Sequence, residues 1–65
     1  MNNDDRFSTT EQVAERYWTS PATVRYWRHA GVGPRGVKIG RKVLYRESEL
    51  QRWEKEREAA ESGAA

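Results

Sequence analysis

Two helix-start signals in close succession constrain this chain more than any other feature. Thr9 opens the pattern Thr-x-x-Gln with Gln12, a capping box that satisfies the first free backbone N–H groups of a helix. Ser20 followed by Pro21 repeats the signal, because Ser is a favoured N-cap and proline at the first helical position has no N–H to leave unbonded. Val13, Ala14 and Tyr17 give the first helix a narrow apolar stripe over about two turns. Val24 and Trp27 lie on one side of the second. Only Trp18 and Thr19 or so separate the two, so the turn is sharp and the helices cross in a helix-turn-helix arrangement. The second helix is expected to stop near Ala30, since Gly31, Gly33 and Pro34 do not continue it comfortably.

From Val37 the period becomes alternating. Val37 and Ile39 face one way and Lys38 outward, Gly40-Arg41-Lys42 turns the chain, and Val43 and Tyr45 alternate back. A lone hairpin is marginal in water, so it must lie against the helices. Glu47 to about Ala60 reads as a third helix with acids in its first turn and Leu50 and Trp53 as its only large apolar anchors. Beyond Trp53 there is no apolar seam for a dimerising coiled coil. The expectation is a single mainly α domain with a small β-hairpin, in the order α-α-β-β-α: a winged helix-turn-helix. Residues 1–5 are expected to be a disordered tail, residues 6–58 the domain and residues 59–65 a frayed end.

The core must be thin. Leu, Ile, Val and Phe supply nine of 65 residues, a proportion at which disorder is a live alternative. The low net charge of +2 and seven aromatic residues favour a fold, because each aromatic ring buries on the order of 150–250 Å². Phe7, Val13, Tyr17, Trp27, Ile39, Tyr45, Leu50 and Trp53 are the expected core, with Trp18 unassigned in the turn. With no cysteine and one histidine there is no disulfide framework, no usual zinc site and no thiol nucleophile. No nucleophile stands with a base, so no enzymatic activity, cofactor, metal or small-molecule substrate is expected. No apolar stretch approaches a bilayer span and Met1 to Asp5 do not resemble a signal peptide, so the expected location is cytoplasmic, with no membrane partner.

The charge is strongly segregated. Arg16, Arg25, Arg28, Arg35, Lys38, Arg41, Lys42 and Arg46 fall in a stretch without a single acid, while acids outnumber cations on either side. Such a stretch repels itself unless a polyanion or acids from the ends compensate it, and nucleic acid is the commonest soluble polyanion. If Val24 and Trp27 point inward, the opposite face of the second helix carries Ala22, Arg25, Tyr26 and His29, bordered by Pro21 and Arg28. Two arginines, a tyrosine and a histidine without an acid suit the major groove, where Arg takes guanine O6 and N7 together. Arg41 and Lys42 at the hairpin tip, with Lys38 beside them, suit phosphates or the minor groove. Arg35 and Arg46 read as phosphate clamps or surface charges.

The strings SPATVRYW (Ser20 to Trp27), GPRGVKIGRKVLY (Gly33 to Tyr45) and SELQRW (Ser48 to Trp53) resemble the excisionase-type, MerR-like winged helix-turn-helix family, and the resemblance extends from Phe7 to Trp53. It implies a recognition helix at Pro21 to Ala30 in the major groove and a wing at Val37 to Tyr45 on the adjacent minor groove or backbone. It further implies a phage-type protein that binds and bends attachment-site DNA to promote integrase-mediated excision, or a small transcription regulator. The expected partners are double-stranded DNA, an integrase and further copies of the chain on adjacent sites. Two departures stand out: Trp18 occupies the turn where the family often has Gly, and Leu44 takes an outward wing position that is often basic. A different class remains open, a protein-interaction module whose acidic third helix docks a partner.

Overall fold

The computed structural model describes residues 5–62 and contains six elements. They are β1 (Phe7–Thr9), α1 (Thr10–Arg16), α2 (Pro21–Ala30), β2 (Val37–Ile39), β3 (Lys42–Arg46) and α3 (Glu47–Ser62). The tail expected at residues 1–4 and the fraying expected at 63–65 lie outside the described residues.

Local chemistry sets the helix ends. Thr9 Oγ1 accepts the Gln12 N–H at 3.1 Å while Gln12 Oε1 accepts the Thr9 N–H at 2.9 Å, so the capping box closes in both directions. Ser20 Oγ accepts the Thr23 N–H at 3.2 Å ahead of Pro21 at the first helical position. At the other end of α2, Gly31 takes the left-handed conformation at φ 75°, where its N–H bonds back to the last turn. The helix thus ends at Ala30, as its sequence predicts.

The fold adds a strand to the expected hairpin. The sheet has the order β1-β3-β2, both pairs antiparallel, with Phe7 opposite Arg46, Thr9 opposite Leu44, and Val37 opposite Leu44. The hairpin turn is also tighter than expected, since Lys42 already belongs to β3 and Gly40 and Arg41 alone make the turn. Gly40 sits at φ 63°, which glycine adopts without steric strain in a two-residue connection.

Register corrects three side chains. Directly paired residues share a sheet face, so Phe7, Thr9, Val37, Ile39, Lys42, Leu44 and Arg46 lie on the outer face, and Val43 and Tyr45 on the inner one; Lys42, next to the turn, reaches the inner side only at its rim. Phe7 and Ile39, expected in the core, are exposed there together with Val37. Lys38 pairs with Val43 and therefore shares the inner, helix-facing side at the sheet edge. Asp5, expected in the tail, is anchored: its Oδ1 accepts the Ser48 N–H at 2.9 Å and caps α3 from outside the helix. α3 also continues past Ala60 to Ser62, supported by Arg52–Glu56 and Arg57–Glu61 pairs one turn apart.

Val13, Ala14, Val24, Tyr45 and Leu50 form the buried core. Beside it Tyr17, Trp27 and Trp53 make a triangle with ring centroids 6.2, 5.2 and 5.4 Å apart, tying α1, α2 and α3 together. Two of its three polar tips are bonded, since Trp53 Nε1–H donates to the Val32 carbonyl at 3.2 Å and Tyr17 Oη–H to Glu54 at 2.7 Å. Trp18 stays outside it, at φ 59° and 94% exposed.

Candidate nucleic-acid interface

Capping fixes the direction of α2 and the Gly40-Arg41 turn fixes that of the hairpin, and between the two lies a concave basin of about 590 Å³. Arg25, Arg28 and His29 line it from α2, Arg41, Lys42, Val43 and Tyr45 from the wing, and Thr9, Thr10 and Glu11 from the start of α1. Four permanent cations and one carboxylate therefore border it, Lys42 at the rim. None of Arg25, Arg28, Lys38, Arg41 and Lys42 forms a salt bridge among the described residues, so their charge is free for an external anion.

The other expected site residues are more dispersed. Ala22 is exposed and Pro21 half-buried at the start of α2, and Tyr26, 65% exposed, lies outside the basin lining. Lys38 stands on the edge strand, on the basin side of the sheet by register but not in the basin wall. Arg46 is turned to the outer face, where its guanidinium lies 4.6 Å from the Phe7 ring centroid and 3.4 Å from Asp5 Oδ2. Arg35 lines a second hollow beyond the Gly31–Gly36 loop with Trp27, Arg52 and Trp53, and its backbone N–H donates to Glu49 at 3.1 Å.

Two cations of the acid-free stretch are thus compensated by the chain's own ends. Arg16 donates to both oxygens of Glu47 at 2.7 and 3.0 Å and to Glu54 at 2.7 Å. These bonds hold its guanidinium pKa above the ordinary value and, with help from Gln51, push that of Glu47 below it. Burial works against ionisation of Glu54, but the bonds from Arg16 and Tyr17 outweigh it and its pKa is lowered. Burial, reinforced by the bond to Glu54, raises the pKa of the Tyr17 phenol.

Thr9, Thr10, Glu11, Val43 and Tyr45 line the basin without being expected there. Thr9 signals itself as a cap and Tyr45 as core, and nothing local to either shows that the start of α1 and the root of the wing meet.

The chain matches the helix-turn-helix domain family over residues 9–58. No curated protein and no solved structure matches it. The match runs from the α1 cap through the wing into α3 and includes most of the basin lining. With α1 and α2 packed together across a tight turn and a β-hairpin sharing a basin with α2, the fold is a winged helix-turn-helix, and the chain belongs to the helix-turn-helix domain family of DNA-binding proteins.

Proposed function

We propose that this protein binds double-stranded DNA sequence-specifically as an excisionase, holding attachment-site DNA in a bent form that lets an integrase run in the excision direction. One observation carries the DNA reading: cations from two separate elements, Arg25 and Arg28 of α2 and Arg41 and Lys42 of the wing, line one basin without a salt-bridge partner among the described residues. In this reading α2 lies in the major groove with Arg25 reading base edges, flanked by Ala22, Tyr26 and His29, while Pro21 places the helix start. Arg28, Arg41, Lys42 and Lys38 hold phosphates, and the wing rests on the adjacent minor groove or backbone.

The excisionase role rests on the resemblance of the SPATVRYW, GPRGVKIGRKVLY and SELQRW strings. One domain of this kind covers little DNA, so useful affinity calls for several copies on neighbouring sites and cooperative binding. Footprinting on DNA flanking the gene tests it. Several regularly spaced protected sites beside an integrase gene are expected, whereas one site over a promoter assigns the protein to transcription regulation. Duplex binding that is indifferent to Arg25→Ala favours a protein-interaction module.

A further inference from the structure

We propose that the Tyr45 hydroxyl is a hydrogen-bond donor to one backbone phosphodiester of the bound duplex, seated at the floor of the basin with Arg28 as its charged companion. This seat rests on the DNA-binding reading above and adds to it a contact from a residue that is otherwise core.

Tyr45 is 1% exposed, and its ring is held from above by Gly36, where even a methyl group would approach the ring carbons to 3.0 Å. Buried phenols ordinarily find a partner for their O–H. This one has none among the described residues, and yet no fully enclosed side-chain oxygen or nitrogen there lacks a bond. The oxygen therefore holds at least part of the small exposed area of Tyr45, and the residue lines the basin.

The surroundings specify the ligand. Arg28 lines the same basin and its charge acts on the phenol. Burial raises the phenol pKa and Arg28 opposes that rise, with the net effect upward, so the group remains a neutral donor at physiological pH. A neutral donor beside a guanidinium suits an anion with several acceptor oxygens. When a recognition helix occupies the major groove and a wing the next minor groove, the sugar-phosphate strand dividing the grooves passes between them. That space is this basin, and a phosphodiester is the anion such a strand presents.

Tyr45→Phe isolates the oxygen because the ring and its packing stay. Fluorescence anisotropy with a short mixed-sequence duplex is expected to show affinity reduced about ten-fold, the effect of losing a hydrogen bond to a charged group. The melting temperature should be unchanged or higher, since an internally unpartnered hydroxyl is removed. The salt slope should also be unchanged, because a neutral donor displaces no counterion, whereas Arg28→Gln should reduce it by about 0.9. On a footprinted site, single methylphosphonate linkages should reveal one position where wild type loses about ten-fold more affinity than Tyr45→Phe does. Equal affinity of Tyr45→Phe and wild type would mean that the hydroxyl is merely hydrated, ending this proposal while leaving DNA binding intact. Weaker binding accompanied by a lower melting temperature would make the oxygen structural and also end it. No duplex binding by wild type removes the DNA reading, and the phosphate seat with it.

Discussion

Arg16, the last residue of α1, grips Glu47, the first residue of α3, through two parallel bonds of 2.7 and 3.0 Å, and its third nitrogen holds Glu54 two turns further along α3. A planar guanidinium suits this because its donors are fixed in a fork that matches a carboxylate. The clamp fastens the helix-turn-helix unit to the helix that carries Leu50 and Trp53.

Acid should release it. Asp5, Glu47, Glu49 and Glu54 all have folded-state pKa values below their ordinary ones. A depressed carboxylate pKa contributes stability that is present above the unfolded value and lost as pH falls through the folded value. The melting temperature is therefore expected to be flat above about pH 5 and to fall progressively below about pH 4.5. Arg16→Met should cost about 1–3 kcal/mol at neutral pH and make the acid limb shallower. An acid limb unchanged in Arg16→Met, followed by circular dichroism across the pH range, would show that other groups govern acid unfolding.

Gly36→Ala tests the packing that fixes the wing. A Cβ at Gly36 meets Val43 Cγ1 at 2.6 Å and the Tyr45 ring at 3.0 Å, and both belong to the strand that floors the basin. Neither neighbour is a flexible chain end, so the substitution should destabilise by about 1–3 kcal/mol. Urea unfolding should show a lower midpoint at constant slope. Gly40→Ala is also unfavourable, but for a conformational reason, since nothing lies within 4 Å of its added methyl and φ is 63°.

Trp18→Gly should act in the opposite direction. The indole contributes almost no buried area at 94% exposure, while φ 59° is strained for any side chain. Relief of that strain, partly offset by the extra freedom of glycine in the unfolded chain, should stabilise by up to about 1 kcal/mol. Thermal melts check this, and a lower midpoint would mean that the ring packs on the domain. Loss of Trp18 should also remove the most red-shifted part of the tryptophan emission, leaving Trp27 and Trp53.

The bounds of α2 are legible in Ser20, Pro21 and Gly31 because capping is local chemistry. Strand β1 is not: Phe7, Ser8 and Thr9 are too few to show alternation, and they become a strand only by pairing with residues 44–46 from far along the chain. The same distance hides the fate of Arg16 and Arg46, whose partners Glu47, Glu54 and Asp5 come from the acidic ends. The outward turn of Phe7, Val37 and Ile39 follows from register, which apolar residues alone do not fix when both hairpin strands alternate. The basin's cations are legible as an acid-free run, but its floor is not, since Tyr45 reads as core and is core.

Base reading and phosphate holding should fall to different arginines. Arg25 and Arg41 face one basin from different elements, Arg25 on the helix proposed to enter the major groove and Arg41 on the wing turn. Arg25→Ala should reduce the preference for the cognate site over mixed-sequence DNA by about 1–3 kcal/mol, whereas Arg41→Ala should weaken binding to both by a similar factor. With about four or five cations on phosphates, the slope of log affinity against log salt should be near −4, and Arg41→Ala should reduce its magnitude by about 0.9. Arg46→Ala supplies the contrast, because that guanidinium lies over Phe7 on the outer sheet face, beside Asp5. Its affinity and slope should match wild type. Titrations of the three variants at several salt concentrations decide the matter: equal losses from Arg25→Ala and Arg41→Ala on both DNAs would erase the distinction between base reader and phosphate clamp. A slope change in Arg46→Ala would mean that the duplex also reaches the outer face of the sheet.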